Sequence, residues 1–170
     1  AKAGLDFDAA KKEAAKGAYH VAMGDLTASV DVKNTIKTSV SNNFIATLPG
    51  RTKADEHIIY TAHWDHLGTD KSLDGDQIYN GAVDNATGTA ALIEVAEAFA
   101  KLPVRPDRSI TMLAVTAEEQ GLLGSKFYAA NPIIAPAKTV ADINMDALDV
   151  VGRSADVAVY GLGQSELDNF

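Results

Sequence analysis

Side chains that can bind a metal ion gather in four short stretches of the sequence. These stretches are His63-Trp64-Asp65-His66, Asp84-Asn85, Glu118-Glu119 and Asp146. The sequence contains no cysteine, so a metal held by this chain must use histidine nitrogens and carboxylate oxygens. The four stretches are therefore the first candidates for a metal site.

Each stretch also has an ordinary structural explanation. Asp84 suits a helix N-cap, the Glu118-Glu119 pair suits the first turn of a helix, and Asp146 suits a turn. Their convergence argues against these explanations. Two carboxylates about 4 Å apart repel each other by on the order of 4 kcal/mol at an effective dielectric constant near 20. A divalent cation removes that repulsion, so the joint pattern favours a metal site.

Strands alternating with helices must position these residues. We predict strands at 26–32, 43–48, 57–62, 109–116, 140–144 and 156–160, and helices at 6–17, 85–101, 121–130 and from 165 onward. This order indicates an α/β fold with a central mixed, mostly parallel β-sheet flanked by helices and antiparallel at its start. Ligands gather at the carboxyl ends of strands in such sheets. His63, Glu118, Glu119 and Asp146 should therefore share one edge, and the loop 67–83 can bring Asp84 to it.

The composition limits the possible partners. The chain has 170 residues, of which 46% are hydrophobic, enough for one globular core. A net charge of -8 and a pI near 4.8 argue against nucleic acid or an anionic membrane as partner. No apolar run approaches the roughly 20 residues that a membrane-spanning helix needs. We expect neither a nucleic-acid nor a membrane partner.

Four blocks of the sequence resemble the M28 family of zinc metallopeptidases. They are HWDHLG, IYNGAVDNATGTAALIEVA, AVTAEEQGLLGS and INMDALDVVG. The segment VVGRSADVAVYGLGQSEL is similar to a bacterial subgroup that usually carries a protease-associated domain. The resemblance implies a C-terminally truncated catalytic domain at 31–170, with a zinc-exopeptidase (phosphorylase/hydrolase-like) fold. It also implies that residues 1–30 leave a preceding protease-associated region, and that the protein is secreted or periplasmic.

The resemblance further implies a ligand for each of two zinc ions. His63 and Asp146 would bind one ion, Glu119 would bind the other, and Asp84 would bridge them. The family takes a last histidine ligand from farther downstream, whereas all four histidines of this sequence precede Asp84. We therefore expect two zinc ions in a complete site but about one tightly bound ion in this chain. Another chain or a C-terminal segment would complete the second site.

Other residues receive catalytic or supporting roles by the same resemblance. Glu118 would be the general base, and the carboxylate of Asp65 would hold the ring of His63 in place. His66 would have a structural role. The peptide bond Asp84–Asn85 would be cis.

The leading functional hypothesis is an aminopeptidase that removes N-terminal residues from peptides with a two-metal activated water. An acidic site suits the free amine of such a substrate. One alternative is a carboxypeptidase or dipeptidase, which needs a cation for the substrate carboxylate; Arg153 is the obvious candidate. The others are a glutaminyl cyclase-like enzyme with one zinc and a non-catalytic metal-binding module or inactive fragment.

Overall fold

The computed structural model describes residues 6–18, 27 and 29–169. The chain divides into two compact units, Ala1–Thr38 and Ser39–Phe170. The division at residue 30 that the resemblance implies stays a prediction. All four stretches with candidate metal ligands belong to the second unit.

The first unit contains the helix α1, Phe7–Ala14. Asp6 caps it, because its carboxylate accepts hydrogen bonds from the backbone N–H groups of Asp8 at 3.0 Å and Ala9 at 3.1 Å. The predicted strand at 26–32 is wrong for residues 27 and 29–32, which are exposed and without regular structure; residues 26 and 28 lie outside the described ones. An alternating pattern gives no stable strand without a neighbouring strand and a core to cover.

The second unit is built from six strands and two α-helices. In chain order these are β1 (Phe44–Leu48), β2 (Lys53–His63), β3 (Gly68–Thr69), β4 (Ile78–Tyr79), α2 (Ala86–Ala100), β5 (Arg108–Val115), α3 (Leu123–Ala130) and β6 (Thr139–Asn144). Two short 3-10 helices, Pro136–Lys138 and Glu166–Asn169, complete the set within the described residues. No helix in the described part of the chain has the length and apolar character needed to cross a membrane.

Four strands form the central sheet in the order β1-β5-β2-β6. β1 runs antiparallel to β5, whereas β2 is parallel to both β5 and β6. This confirms the predicted mixed, mostly parallel sheet with an antiparallel strand at its start. The parallel register pairs His63 with Val115 and Thr61 with Asn144, so β2, β5 and β6 end at the same edge.

Two sequence predictions for the last fifteen residues are wrong. Residues 156–160 form no strand, and the helix predicted from residue 165 is only the short 3-10 helix Glu166–Asn169. Val157 is 81% exposed and Tyr160 is 98% exposed, so the apolar side chains of this segment cover no core. An apolar run predicts a strand only where the fold supplies a surface to bury it.

Alternating residues of the sheet build two apolar clusters, one on each face. One cluster comprises Ile59, Leu113, Val115 and Ile134, with Tyr128 of α3 packed against it. The other comprises Leu92, Ile110 and Met112, together with partly buried residues of α2. In α2, Leu92 is buried, while Val95, Ala96 and Phe99 are half-buried. Phe99 packs on Tyr60 with ring centroids 5.8 Å apart.

Candidate metal centre

His63 is the last residue of β2, and its side chain is only 3% exposed. Its Nδ1 lies 3.0 Å from the backbone carbonyl oxygen of Asp65. A carbonyl can only accept, so Nδ1 carries the proton in this hydrogen bond. The lone pair of the neutral ring is therefore on Nε2, the atom that faces the other candidate ligands, as in metal-binding histidines.

The first ligand group consists of His63, Asp84 and Asp146. His63 Nε2 lies 3.0 Å from Asp84 Oδ1 and 3.3 Å from Asp146 Oδ1. His63 Nε2 and Asp84 Oδ1 are both buried and have no hydrogen-bond partner among the residues that the structure describes. An orphaned nitrogen lone pair beside carboxylate oxygens is unfavourable unless a cation lies between them. One imidazole and two carboxylates match the donor set of a three-ligand catalytic zinc site, so these residues fit zinc.

Asp84 also belongs to a second ligand group, with His66 and Glu119. The ligand atoms of this group all lie within 4.8 Å of one another. His66 Nδ1 is 2.5 Å from Glu119 Oε1, and both atoms are buried without a hydrogen bond to any residue of the described part of the chain. The resemblance assigns Asp84 and Glu119 to the second metal and gives His66 a structural role. The signal that it missed is the loop 67–83, which folds back over the ring of His66.

Asn85 ties the start of α2 to the loop that follows β6. The peptide bond Asp84–Asn85 is cis, as the resemblance implies. The Asn85 side chain is 2% exposed, donates to the Met145 carbonyl at 3.0 Å, and accepts from the backbone N–H groups of Gly88 at 2.9 Å and Ala147 at 3.2 Å. This residue therefore sets the distance between Asp84 and the neighbour of Met145, Asp146. Sequence reasoning named it only as a neighbour of Asp84.

Glu118 and Glu119 follow β5 and take different positions. Glu118 lines a cavity of about 600 Å³ together with His63 and Asp146, while Glu119 contacts His66. Ala117 has a φ of 52°, a left-handed conformation that is uncommon for a residue with a side chain. This turn directs the backbone N–H of Glu118 to the Oδ1 of Asp65, 3.3 Å away.

Asp65 supports His63 through a different atom from the one that the resemblance implies. The hydrogen bond to the His63 ring comes from the Asp65 backbone carbonyl, whereas the carboxylate Oδ1 is 3.9 Å from Nδ1. That carboxylate accepts from the backbone of Glu118 instead. Asp65 thus connects the end of β2 with the turn after β5.

The negative charges of the site favour the protonated, positively charged form of His63. Burial by itself lowers the pKa of His63, but the charge of Asp146, the carbonyl of Asp65 and the charges of Glu118 and Asp84 outweigh it and raise the pKa above its usual value. Within the described residues, no lysine or arginine forms an ion pair with these acids. A divalent cation bound among these carboxylates would neutralise the same negative charge.

The pKa of Glu118 is also raised. Burial is the main cause; the charge of His63 opposes it, and the charges of Glu119, Asp146 and Asp84 add to it. A carboxylate whose pKa is raised is better suited to exchange protons near neutral pH than one with an ordinary pKa. Bound cations would work in the opposite direction.

The comparisons with known proteins agree on one family. The model of Peptidase family M28 matches residues 43–170. The chain is 32% identical to "Aminopeptidase NAALADL1" of Mus musculus over 69% of this chain and 15% of that protein. It is 36% identical to a "Probable zinc metalloprotease" of Pyrenophora tritici-repentis over 65% of this chain and 24% of that protein. It is 30% identical to "Probable glutamate carboxypeptidase AMP1" of Arabidopsis thaliana over 84% of this chain and 18% of that protein.

A solved structure gives the same result. The crystal structure of a Peptidase M28 precursor from Shewanella amazonensis SB2B aligns with a TM-score of 0.51 and 34% identity, covering 61% of this chain and 22% of that one. The chain therefore spans a quarter or less of the length of each of these proteins.

Proposed function

The chain belongs to peptidase family M28, and on that premise we propose that the whole protein is a zinc-dependent exopeptidase, secreted or periplasmic, that acts as an aminopeptidase on peptides. The observation that carries the proposal is the position of two carboxylate oxygens beside one histidine nitrogen. Asp84 Oδ1 lies 3.0 Å and Asp146 Oδ1 lies 3.3 Å from His63 Nε2. Zinc supplies Lewis acidity at such a site, which polarises a carbonyl group and lowers the pKa of water.

The residues of this chain divide the remaining work. The Asp65 carbonyl fixes the proton of His63 on Nδ1 and keeps Nε2 available for a metal. Asp84 is within reach of both ligand groups and is the candidate bridge between two ions. Glu118 lines the cavity beside His63 and Asp146, which supports its role as the base that takes a proton from water and passes it to the leaving amine.

The charge of the site favours an aminopeptidase over a carboxypeptidase. The substrate of an aminopeptidase carries a positive amine, and five carboxylates lie at the strand ends around His63 and His66 without a lysine or arginine paired to them in the described residues; these are Asp65, Asp84, Glu118, Glu119 and Asp146. A carboxypeptidase is the second candidate, because a relative carries that name. It would need a cation for the substrate carboxylate, and Arg153 is exposed and forms no ion pair with the acids of the site.

Substitution of Glu118 by Gln tests the proposal. In the whole protein, we expect Glu118→Gln to lower turnover of amino-acid p-nitroanilides by at least about 100-fold, because glutamine cannot take a proton. We expect its zinc content to stay unchanged. Zinc content and turnover would be measured together, with and without a chelator. Glu97→Gln is the matched control, since Glu97 pairs with Lys101 on the exposed part of α2. Near-normal turnover of Glu118→Gln, or a loss of zinc from it, would contradict the assignment.

N-blocked and C-amidated peptides separate the two exopeptidase classes. An aminopeptidase loses activity when the substrate amine is acetylated and keeps it when the carboxylate is amidated. The reverse result would favour the carboxypeptidase.

A further inference from the structure

The face of the central sheet that carries α3 is covered only in part. The eight residues of α3 pack on it through Tyr128, which contacts the apolar cluster around Ile59. Beside α3, the cavity of about 600 Å³ that Glu118 lines extends along β6, and Leu122, which is 46% exposed, forms part of its wall. Parallel sheets in α/β folds bury both faces. Within the described residues, this part of the face therefore lacks a covering element.

Two polar groups in the wall of this cavity lack a suitable partner. The Tyr128 hydroxyl is buried and has no hydrogen-bond partner in the described part of the chain. Asp142 accepts a hydrogen bond from Thr61 Oγ1 at 3.2 Å, but no described lysine or arginine pairs with it. The surrounding atoms shield the Asp142 carboxyl from solvent and raise its pKa, which the hydrogen bond from Thr61 opposes. A cation beside the carboxylate and a polar group beside the hydroxyl would stabilise both.

Asp142 is separate from the candidate metal centre. It precedes Asp146 by four residues, which is about 13 Å at about 3.3 Å per residue of a strand. That distance is too long for Asp142 to bind the same ion as Asp146. Its negative charge is therefore available to a partner that enters the cavity.

The comparisons favour one kind of partner. The chain spans a quarter or less of the length of each relative reported above, so most of each relative has no counterpart in residues 1–170. A second copy of this chain is a poorer partner, because two chains with a net charge of -8 repel each other.

We propose that this cavity is the docking surface for a segment of the whole protein outside residues 1–170. The apolar side of the segment fills the cavity, and a lysine or arginine of the segment pairs with Asp142. Because His63 and Glu118 line the same cavity, the docked segment also shields these two side chains from water. The inference concerns assembly of the protein and does not depend on its substrate.

Photo-crosslinking in the whole protein identifies the partner. We expect p-benzoylphenylalanine in place of Ala129, a residue of α3 in the cavity wall, to crosslink to a peptide outside residues 1–170 of the same molecule. Ile93 is the matched control position, because it is an exposed residue of α2 that does not line this cavity. The same photo-reactive residue there should not crosslink to that peptide. A crosslink to a second copy or to residues 1–38, or no crosslink at all, would overturn the inference.

Reversal of the charge at Asp142 tests the ion pair. In the whole protein, we expect Asp142→Lys to speed hydrogen–deuterium exchange of residues 123–144 by at least about tenfold, because a hydrogen-bonded charge pair is replaced by repulsion. Asp142→Asn keeps an oxygen for Thr61 and should have a smaller effect. In the 170-residue chain both variants should exchange like the unmodified chain, since nothing is docked there.

Asp74→Lys is the matched control, because it makes the same charge change at an exposed position of the loop between β3 and β4. It should leave the exchange of residues 123–144 unchanged in both proteins. If Asp142→Lys sped exchange equally in the 170-residue chain, Asp142 would stabilise only the sheet itself. If it had no effect in the whole protein, no cation would face Asp142. Either result would overturn the inference.

Discussion

The two histidines of the candidate site are three residues apart and are held in different ways. His63 ends a central strand, is 3% exposed, and donates its ring N–H to a main-chain carbonyl. His66 lies in the following loop, is 22% exposed, and is kept in place by packing against Gly81 and Tyr79. The sheet therefore positions His63, whereas side-chain packing in a loop positions His66.

This difference indicates which of the two ligand groups should have the higher affinity for a metal ion. A ligand on a rigid element loses little conformational freedom when it binds, while a loop ligand must be kept in place by its neighbours. Asp84 belongs to both groups, so the first ion to bind also fixes a ligand of the second. We therefore expect the His63 group to bind first and more tightly.

The largest expected effect comes from removal of the strand ligand. We expect His63→Ala to lower the affinity for the first ion by more than about 100-fold, more than the loss of a residue behind a ligand. The second ion should also bind more weakly, because Asp84 is no longer held by an ion in the first group. Zinc affinity from chelator competition measures both constants.

An equal loss of zinc affinity in His66→Ala and His63→Ala would contradict this difference between the two histidines. The two groups would then act as one indivisible unit, and the position of a ligand on a strand or in a loop would not matter. Circular dichroism of both variants is the control for folding, because His63 is buried.

The part of the site carried by strands is the part that the sequence predicts. The predicted strands 109–116 and 140–144 lie within one residue of β5 and β6, and the predicted strand 57–62 ends one residue before β2 does but begins four residues after it. Long apolar runs with β-branched residues leave little choice of element, and parallel pairing fixes which ends meet. The candidate residues His63, Glu118, Glu119 and Asp146 follow from those ends alone.

The part of the site carried by loops is less predictable. Residues 67–83 read only as a polar, glycine-rich loop, and the β3–β4 hairpin inside it is two residues on each strand. The position of His66 depends on the positive φ of Gly81 and on a contact with Tyr79 thirteen residues away. Two of the three hydrogen bonds of the Asn85 side chain, to Met145 and Ala147, are likewise tertiary contacts, while the third is the local N-cap bond from Gly88. No periodicity in the sequence encodes such contacts.

A smaller effect on zinc affinity should follow when the packing against the His66 ring is disturbed. We expect Gly81→Ala to lower the affinity for the second ion by about 10- to 100-fold and to leave the first ion bound. The added Cβ would lie 2.9 Å from the Cβ of His66 and would move its ring. Chelator competition against the unmodified chain measures the change.

Gly68→Ala separates this displacement from backbone strain. Gly68 has a φ of +87°, but an added Cβ there would meet nothing within 4 Å. It therefore carries a comparable conformational cost without touching His66. If both variants weakened the second ion equally, strain in the loop rather than contact with the ring would be the cause.

The smallest expected effect concerns the carboxylate of Asp65. The main-chain carbonyl of Asp65 already accepts the ring N–H of His63 at 3.0 Å, whereas the carboxylate is 3.9 Å from that nitrogen. Asp65→Asn keeps an oxygen for the Glu118 N–H, so we expect the affinity for the first ion to fall by less than about tenfold, the low end for a residue behind a ligand. The same titration measures it. A loss as large as in His63→Ala would mean that the carboxylate, and not the main chain, orients the ring, and the strand ligand would then depend on side chains as much as His66 does.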